Sequence, residues 1–76
     1  MMTADLPRVA GVRDLARSGG ARRIREDSHI GLREMAEVIG VSATTLLRWE
    51  AGLVMPRAEH ALLWADALAE LEGTTS

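Results

Sequence analysis

The 76-residue chain contains no cysteine, which excludes disulfide staples, thiolate zinc sites and a cysteine nucleophile, and removes the framework of a small secreted scaffold. A cytoplasmic setting is expected. Lysine, phenylalanine and tyrosine are also missing, so two tryptophans are the whole aromatic complement and all nine basic residues are arginine. A GC-rich coding sequence explains that bias without a physical requirement. No apolar run approaches the roughly 20 residues that span a bilayer, and the start, MMTADLPRV, has neither the basic stretch nor the apolar core of a signal peptide. A chain this short makes one domain at most, and its stability is marginal unless it self-associates.

The charge that is present is uneven. Residues 1–25 carry six Arg against Asp5 and Asp14, a net +4, while residues 26–76 carry three Arg against nine carboxylates, a net −6, which together give the overall −2. An acidic total argues mildly against sequence-independent binding to phosphate, although the charge at a contact surface matters more than the sum.

No stretch alternates apolar and polar residues over a strand's length, so the spacing predicts an all-α protein, a small bundle of about five helices. Pro7 to Ser18 opens with proline in its first turn and repeats Val9, Val12, Leu15 and Ala16 at helical spacing. Gly19-Gly20 then either breaks the segment or is tolerated at about 1 kcal/mol per residue inside one long helix, and a break or kink is favoured. Ala21 to about Ser28 sets Ala21, Ile24 and Arg25 on one face, and Leu32 to Ile39 turns Leu32, Met35, Ala36 and Ile39 inward. Gly40 ends that helix, Ser42 caps the next over Ala43 to Ala51, and Gly52 ends it in turn. Pro56 is expected to start a last helix to about Glu72. The division follows: an N-terminal helical extension over 1–20, a helix-turn-helix domain over 21–72, and a frayed tail over 73–76.

Two short helices joined through Gly-Val-Ser form a helix-turn-helix. Ala36 lets the helices cross closely, Gly40 makes the turn, Val41 plugs the gap, and Leu46 with Trp49 anchors the second helix. Ala43, Thr44, Leu47, Arg48 and Ala51 remain outward, where a DNA-binding protein meets base edges.

From about Arg22 to Leu71 the chain resembles the phage repressor and Cro family of helix-turn-helix regulators, the XRE-like, lambda-repressor-like proteins. The likeness rests on LREMAEVIGVSATTLLRWEAG followed by Pro56, with Met35-Ala36, Gly40-Val41-Ser42, Leu46, Trp49-Glu50, Gly52 and Pro56 in register. It implies a phage or bacterial transcription regulator acting on double-stranded DNA at the nucleoid. By the same resemblance, the helix over 43–51 lies in the major groove, with Ser42, Ala43, Thr44, Leu47 and Arg48 at the DNA. Leu32 and Arg33 then sit at a phosphate through free helix N–H groups, and Arg25 pairs with Glu50 as a structural ion pair. Two departures stand out. Leu53-Val54-Met55 occupies a loop that is commonly polar or basic in the family, and Leu47 can touch a thymine methyl but cannot hydrogen-bond a base. Arg48 and Thr44 are left as the chief hydrogen-bonding readers, which calls for a dimer on two half-sites.

Other groups carry less. Arg22, Arg23 and Arg57 are candidate phosphate contacts, although Arg22 and Arg23 stand beside Glu26 and Asp27 in what also reads as a solvated helix face. Glu26 and Asp27 point about 100° apart and do not share a proton. His29 and His60 have no third ligand at useful spacing, and Ser42 is better explained as a cap than as a nucleophile. No catalytic group, metal, cofactor or small-molecule ligand is expected.

The last helix is apolar on two flanks. Ala61, Leu62, Ala65, Leu68 and Ala69 can cover the domain's own core, which leaves Leu63, Trp64, Ala67 and Leu71 for a homodimer or partner interface extended by Leu53, Val54 and Met55. Equally, the segment Pro7 to Ala16 can pack there and close a monomer. Three readings result: an operator-binding regulator; a protein-binding module, anti-repressor or antitoxin-like, that uses the 53–55 loop and last helix; and an excisionase-like architectural factor, which lacks the strands of a winged domain.

Overall fold

A computed structural model of the chain describes the backbone of residues 5–75 and the side chains of residues 5–73. Within them lie five helices and no strand: α1 (Leu6–Ser18), α2 (Gly20–Asp27), α3 (Leu32–Ile39), α4 (Ala43–Glu50) and α5 (Ala58–Thr75). The small all-α bundle expected from the spacing is what forms. None of these helices is long and apolar enough to cross a membrane.

Local chemistry places most of the helix ends. Gly19 turns left-handed at φ 83° and separates α1 from α2, so the glycine pair is a break. Glu34 returns its carboxylate to the Gly31 N–H at 3.0 Å and steadies the start of α3. Gly40, at φ 89°, lets its own N–H and that of Val41 close on the Ala36 carbonyl, at 2.8 and 3.0 Å. Ser42 caps α4 by accepting the Thr45 N–H at 3.1 Å while donating its hydroxyl to Thr45 Oγ1 at 2.9 Å. At the other end of α4, Gly52 adopts φ 74° and Leu53 N–H reaches the Arg48 carbonyl at 3.0 Å. The α2–α3 connection uses a non-glycine for the same purpose: His29 sits at φ 59°, with Ile30 N–H bonded to the Arg25 carbonyl at 3.2 Å.

Two boundaries differ from the sequence expectation by more than one residue. The last helix starts at Ala58, not Pro56, with the Ala61 N–H closing on the Arg57 carbonyl at 2.8 Å. Pro56 is buried and its carbonyl is taken by Arg13 of α1, so it ends the preceding loop. The tail expected over 73–76 is also helical as far as Thr75, and Ser76 lies outside the described residues, as do residues 1–4 of the N-terminal extension.

All five helices feed one core. Val9, Val12 and Ala16 come from α1, Ala21 from α2, Met35, Ala36 and Ile39 from α3, Leu46 and Trp49 from α4, and Ala61, Trp64, Ala67 and Leu68 from α5. The Trp49 and Trp64 rings lie 5.4 Å apart and tilted by 37° at its centre.

That arrangement corrects the expectation for the flank of α5. Trp64 is fully buried and Ala67 is buried beside it, so neither is available to a partner. The cause lies in the domain's own helices: Trp64 packs on Trp49 of α4, and Ala67 and Leu71 stand beside Met35 and Val38 of α3, while α1 packs along α5 with Arg8 paired to Asp66. Of the four flank residues Leu63 alone is exposed, and Leu71 is half-buried.

Candidate nucleic-acid interface

The candidate interface is built on α4. Its inward side chains, Leu46, Trp49 and Glu50, are buried, which fixes the helix in rotation. Thr44, Leu47, Arg48 and Ala51 fall at the i, i+3, i+4 and i+7 spacing of one helical face, and all four are exposed. Ala43 is half-buried at the first turn, and Ser42 is exposed with its hydroxyl engaged in the cap. Between α3 and α4, Ala36 is buried at the crossing and Val41 is half-buried in the turn.

A bidentate ion pair holds the motif's back. Arg25 donates to Glu50 from Nε at 2.7 Å and from Nη2 at 3.0 Å, both side chains buried, and gives Nη1 to the Ile30 carbonyl at 2.9 Å. One guanidinium thereby joins α2, the α2–α3 connection and the end of α4. The Glu50 hydrogen bond raises the Arg25 pKa above its ordinary value, outweighing the desolvation that pulls it down.

The arginines divide into two sets by partner. Arg8, Arg17, Arg22 and Arg25 are paired with carboxylates, and Arg13 is held on the Pro56 carbonyl. Arg23, Arg33, Arg48 and Arg57 are exposed, and their side chains have neither an ion pair nor a hydrogen bond among the described residues. Arg33 stands in the first turn of α3 beside the half-buried Leu32, Arg48 in the last turn of α4, and Arg57 just before α5. The Arg22–Glu26 contact, 3.2 Å between exposed side chains, is of the kind that contributes little and is readily given up.

An open cleft of about 420 Å³ brings the starts of α4 and α5 together, with Ser42, Thr45 and Trp49 on one side and Met55, Arg57 and His60 on the other. Arg57 is thereby carried to the edge of α4. The His60 ring packs on Trp49 with centroids 6.0 Å apart, a neighbour the sequence did not signal because the two residues share no helix or periodicity. Arg13 was missed for the same reason: it is one of three ordinary-looking arginines on α1. The loop after α4 is apolar and open, with Leu53 75% and Val54 51% exposed and Met55 half-buried. No cluster of His, Asp or Glu that could hold a metal occurs among the described residues.

A helix-turn-helix family model matches residues 22–71, which run from α2 through the greater part of α5 and leave α1 outside. No curated protein and no solved structure matches the chain.

Proposed function

The chain belongs to the XRE-type helix-turn-helix family of DNA-binding regulators, and from that premise we propose that it is a sequence-specific regulator of the phage repressor type that occupies an operator through α4. The observation that carries this reading is the unpaired, exposed Arg48 in one row with Thr44 and Leu47, on a helix whose opposite face is locked in the core. A guanidinium with no internal partner is free to bridge guanine O6 and N7, and Leu47 beside it suits a thymine methyl. Thr44 is the second hydrogen-bonding reader and Ala43 lets the helix start approach closely. Leu32 and Arg33 at the start of α3 take one phosphate and Arg57 another, with Arg22 and Arg23 at the periphery. So few readers per subunit give modest discrimination, and two copies on paired half-sites supply the rest.

The test is selection of bound duplexes from a randomised pool at low salt, with wild type and Arg48→Ala side by side. A paired-half-site motif that relaxes in the variant is the expected result. No enrichment from a folded, helical sample overturns the reading. That outcome would favour a protein-binding module, for which the exposed Leu53 and Val54 speak, and whose complex would be lost on substitution of Leu53.

A further inference from the structure

Helix α1 lies outside the family match, yet it grips the loop that follows the reading helix at both ends. Arg13, half-buried, donates to the Pro56 carbonyl from Nε at 3.3 Å and from Nη2 at 2.9 Å. At the near end of the loop, a Cβ on Gly52 would sit 3.7 Å from the Arg17 Cα, so the backbone of α1 passes directly against the turn that ends α4. Among the described residues no side chain of α2 to α4 hydrogen-bonds residues 53–57, although the Leu53 N–H bonds the Arg48 carbonyl of α4 at 3.0 Å.

The consequence follows from peptide planarity. The Pro56 carbonyl, the Arg57 nitrogen and the Arg57 Cα share one plane, so a fork of two N–H groups that fixes the direction of that carbonyl also fixes the point from which the Arg57 side chain departs. Arg57 is exposed, unpaired and at the edge of the cleft beside the start of α4. Arg13 itself is half-buried and spends its Nε and one Nη2 N–H on the Pro56 carbonyl.

We propose that Arg13 is a positioning residue for DNA binding: through the Pro56 carbonyl it presents Arg57 to the phosphate backbone. This rests on the reading of Arg57 as a phosphate contact.

A double-mutant cycle on one selected duplex, measured over a series of salt concentrations, tests it. Arg57→Ala is expected to lose about tenfold in affinity at low salt and to make the salt slope shallower by about one. Arg13→Met is expected to reproduce most of both changes, and the double variant to bind no worse than Arg57→Ala alone. Additive losses, or an Arg13→Met protein that binds like wild type, overturn the positioning role and leave the Arg57 contact standing. Arg57→Ala without effect overturns the phosphate reading itself. Should Arg13→Met not fold by urea titration, Arg13→Lys, which keeps the charge but lacks the fork, enters the same cycle and is judged by the same coupling.

Discussion

Arg25 and Glu50 meet fork to fork in the interior, Nε to Oε2 at 2.7 Å and Nη2 to Oε1 at 3.0 Å, and they tie α2, the first helix within the family match, to the last turn of α4. The end of α4 that carries Arg48 is thus held by charge as well as by Leu46 and Trp49. Removing one partner strands the other charge in the core, a loss of about 3–5 kcal/mol, whereas replacing both with apolar groups of similar size is far less damaging. Arg25→Met and Glu50→Leu are each expected to lower the urea midpoint sharply, and the double variant to recover much of the difference. Additive losses would show that the pair is not coupled. The pH sign is also fixed for Arg25. Its pKa is raised, so its contribution is fully present below the ordinary arginine value and is lost only as pH climbs through the raised one. Its own ionisation therefore adds no pH dependence to stability at neutral pH.

His29 and Gly40 both hold left-handed backbone, at φ 59° and φ 89°, but only Gly40 does so without a Cβ penalty. Substitutions there should move stability in opposite directions. A Cβ on Gly40 would meet nothing within 4 Å, so Gly40→Ala is a test of backbone conformation alone, with an expected loss of about 1–2 kcal/mol. His29→Gly relieves the same strain and gains up to about 1 kcal/mol, offset in part by the freer unfolded chain. Thermal midpoints settle the matter, and a neutral Gly40→Ala would show that the turn relaxes.

The helices α2, α3 and α4 were legible because their signals are local: Gly40 and Gly52 end helices by their own φ, Ser42 caps the chain three residues on, and Met35, Ala36 and Ile39 repeat at helical spacing. The partner of Arg25 came from family resemblance, since no periodicity links it to Glu50. What local pattern could not assign was where a well-formed helix goes. The flank of α5 reads the same whether the chain's own helices or a second copy cover it, and the structure sets Trp64 on Trp49 and Ala67 beside α3. Pro56 looked like a helix start because proline favours that position; it ends a loop instead, because Arg13 takes its carbonyl from 43 positions away. The four unpaired arginines likewise emerged only once folding had assigned the acids to the others.

The role of α1 as part of the core predicts the effect of its removal. Val9, Val12 and Ala16 are buried, so a chain starting at Gly19 leaves their partners on α5 uncovered although the family motif is untouched. Such a truncation should bind a hydrophobic dye, self-associate on a sizing column and unfold at a lower temperature than the full chain. Val12→Ala, a smaller insult at the same seam, is expected to lose roughly 1–3 kcal/mol without self-association. A truncated chain that stays monomeric with an unchanged midpoint would mean that α1 is not needed to close the core.

Leu47 and Leu53 separate base reading from partner binding, because both are exposed apolar residues but only Leu47 lies on the α4 row with Thr44 and Arg48. A leucine against a thymine methyl discriminates by contact alone, so Leu47→Ser should weaken the preference for that base pair by about 1 kcal/mol while other positions of the motif keep theirs. Leu53→Ser changes a loop side chain that is 75% exposed and should leave both the selected motif and the urea midpoint as they were. Duplex selection with the two variants in parallel reads both effects from one experiment. A motif altered by Leu53→Ser and untouched by Leu47→Ser would move the reading surface from the helix to the loop, and with it the assignment of Leu47 beside Arg48 as the base-facing pair.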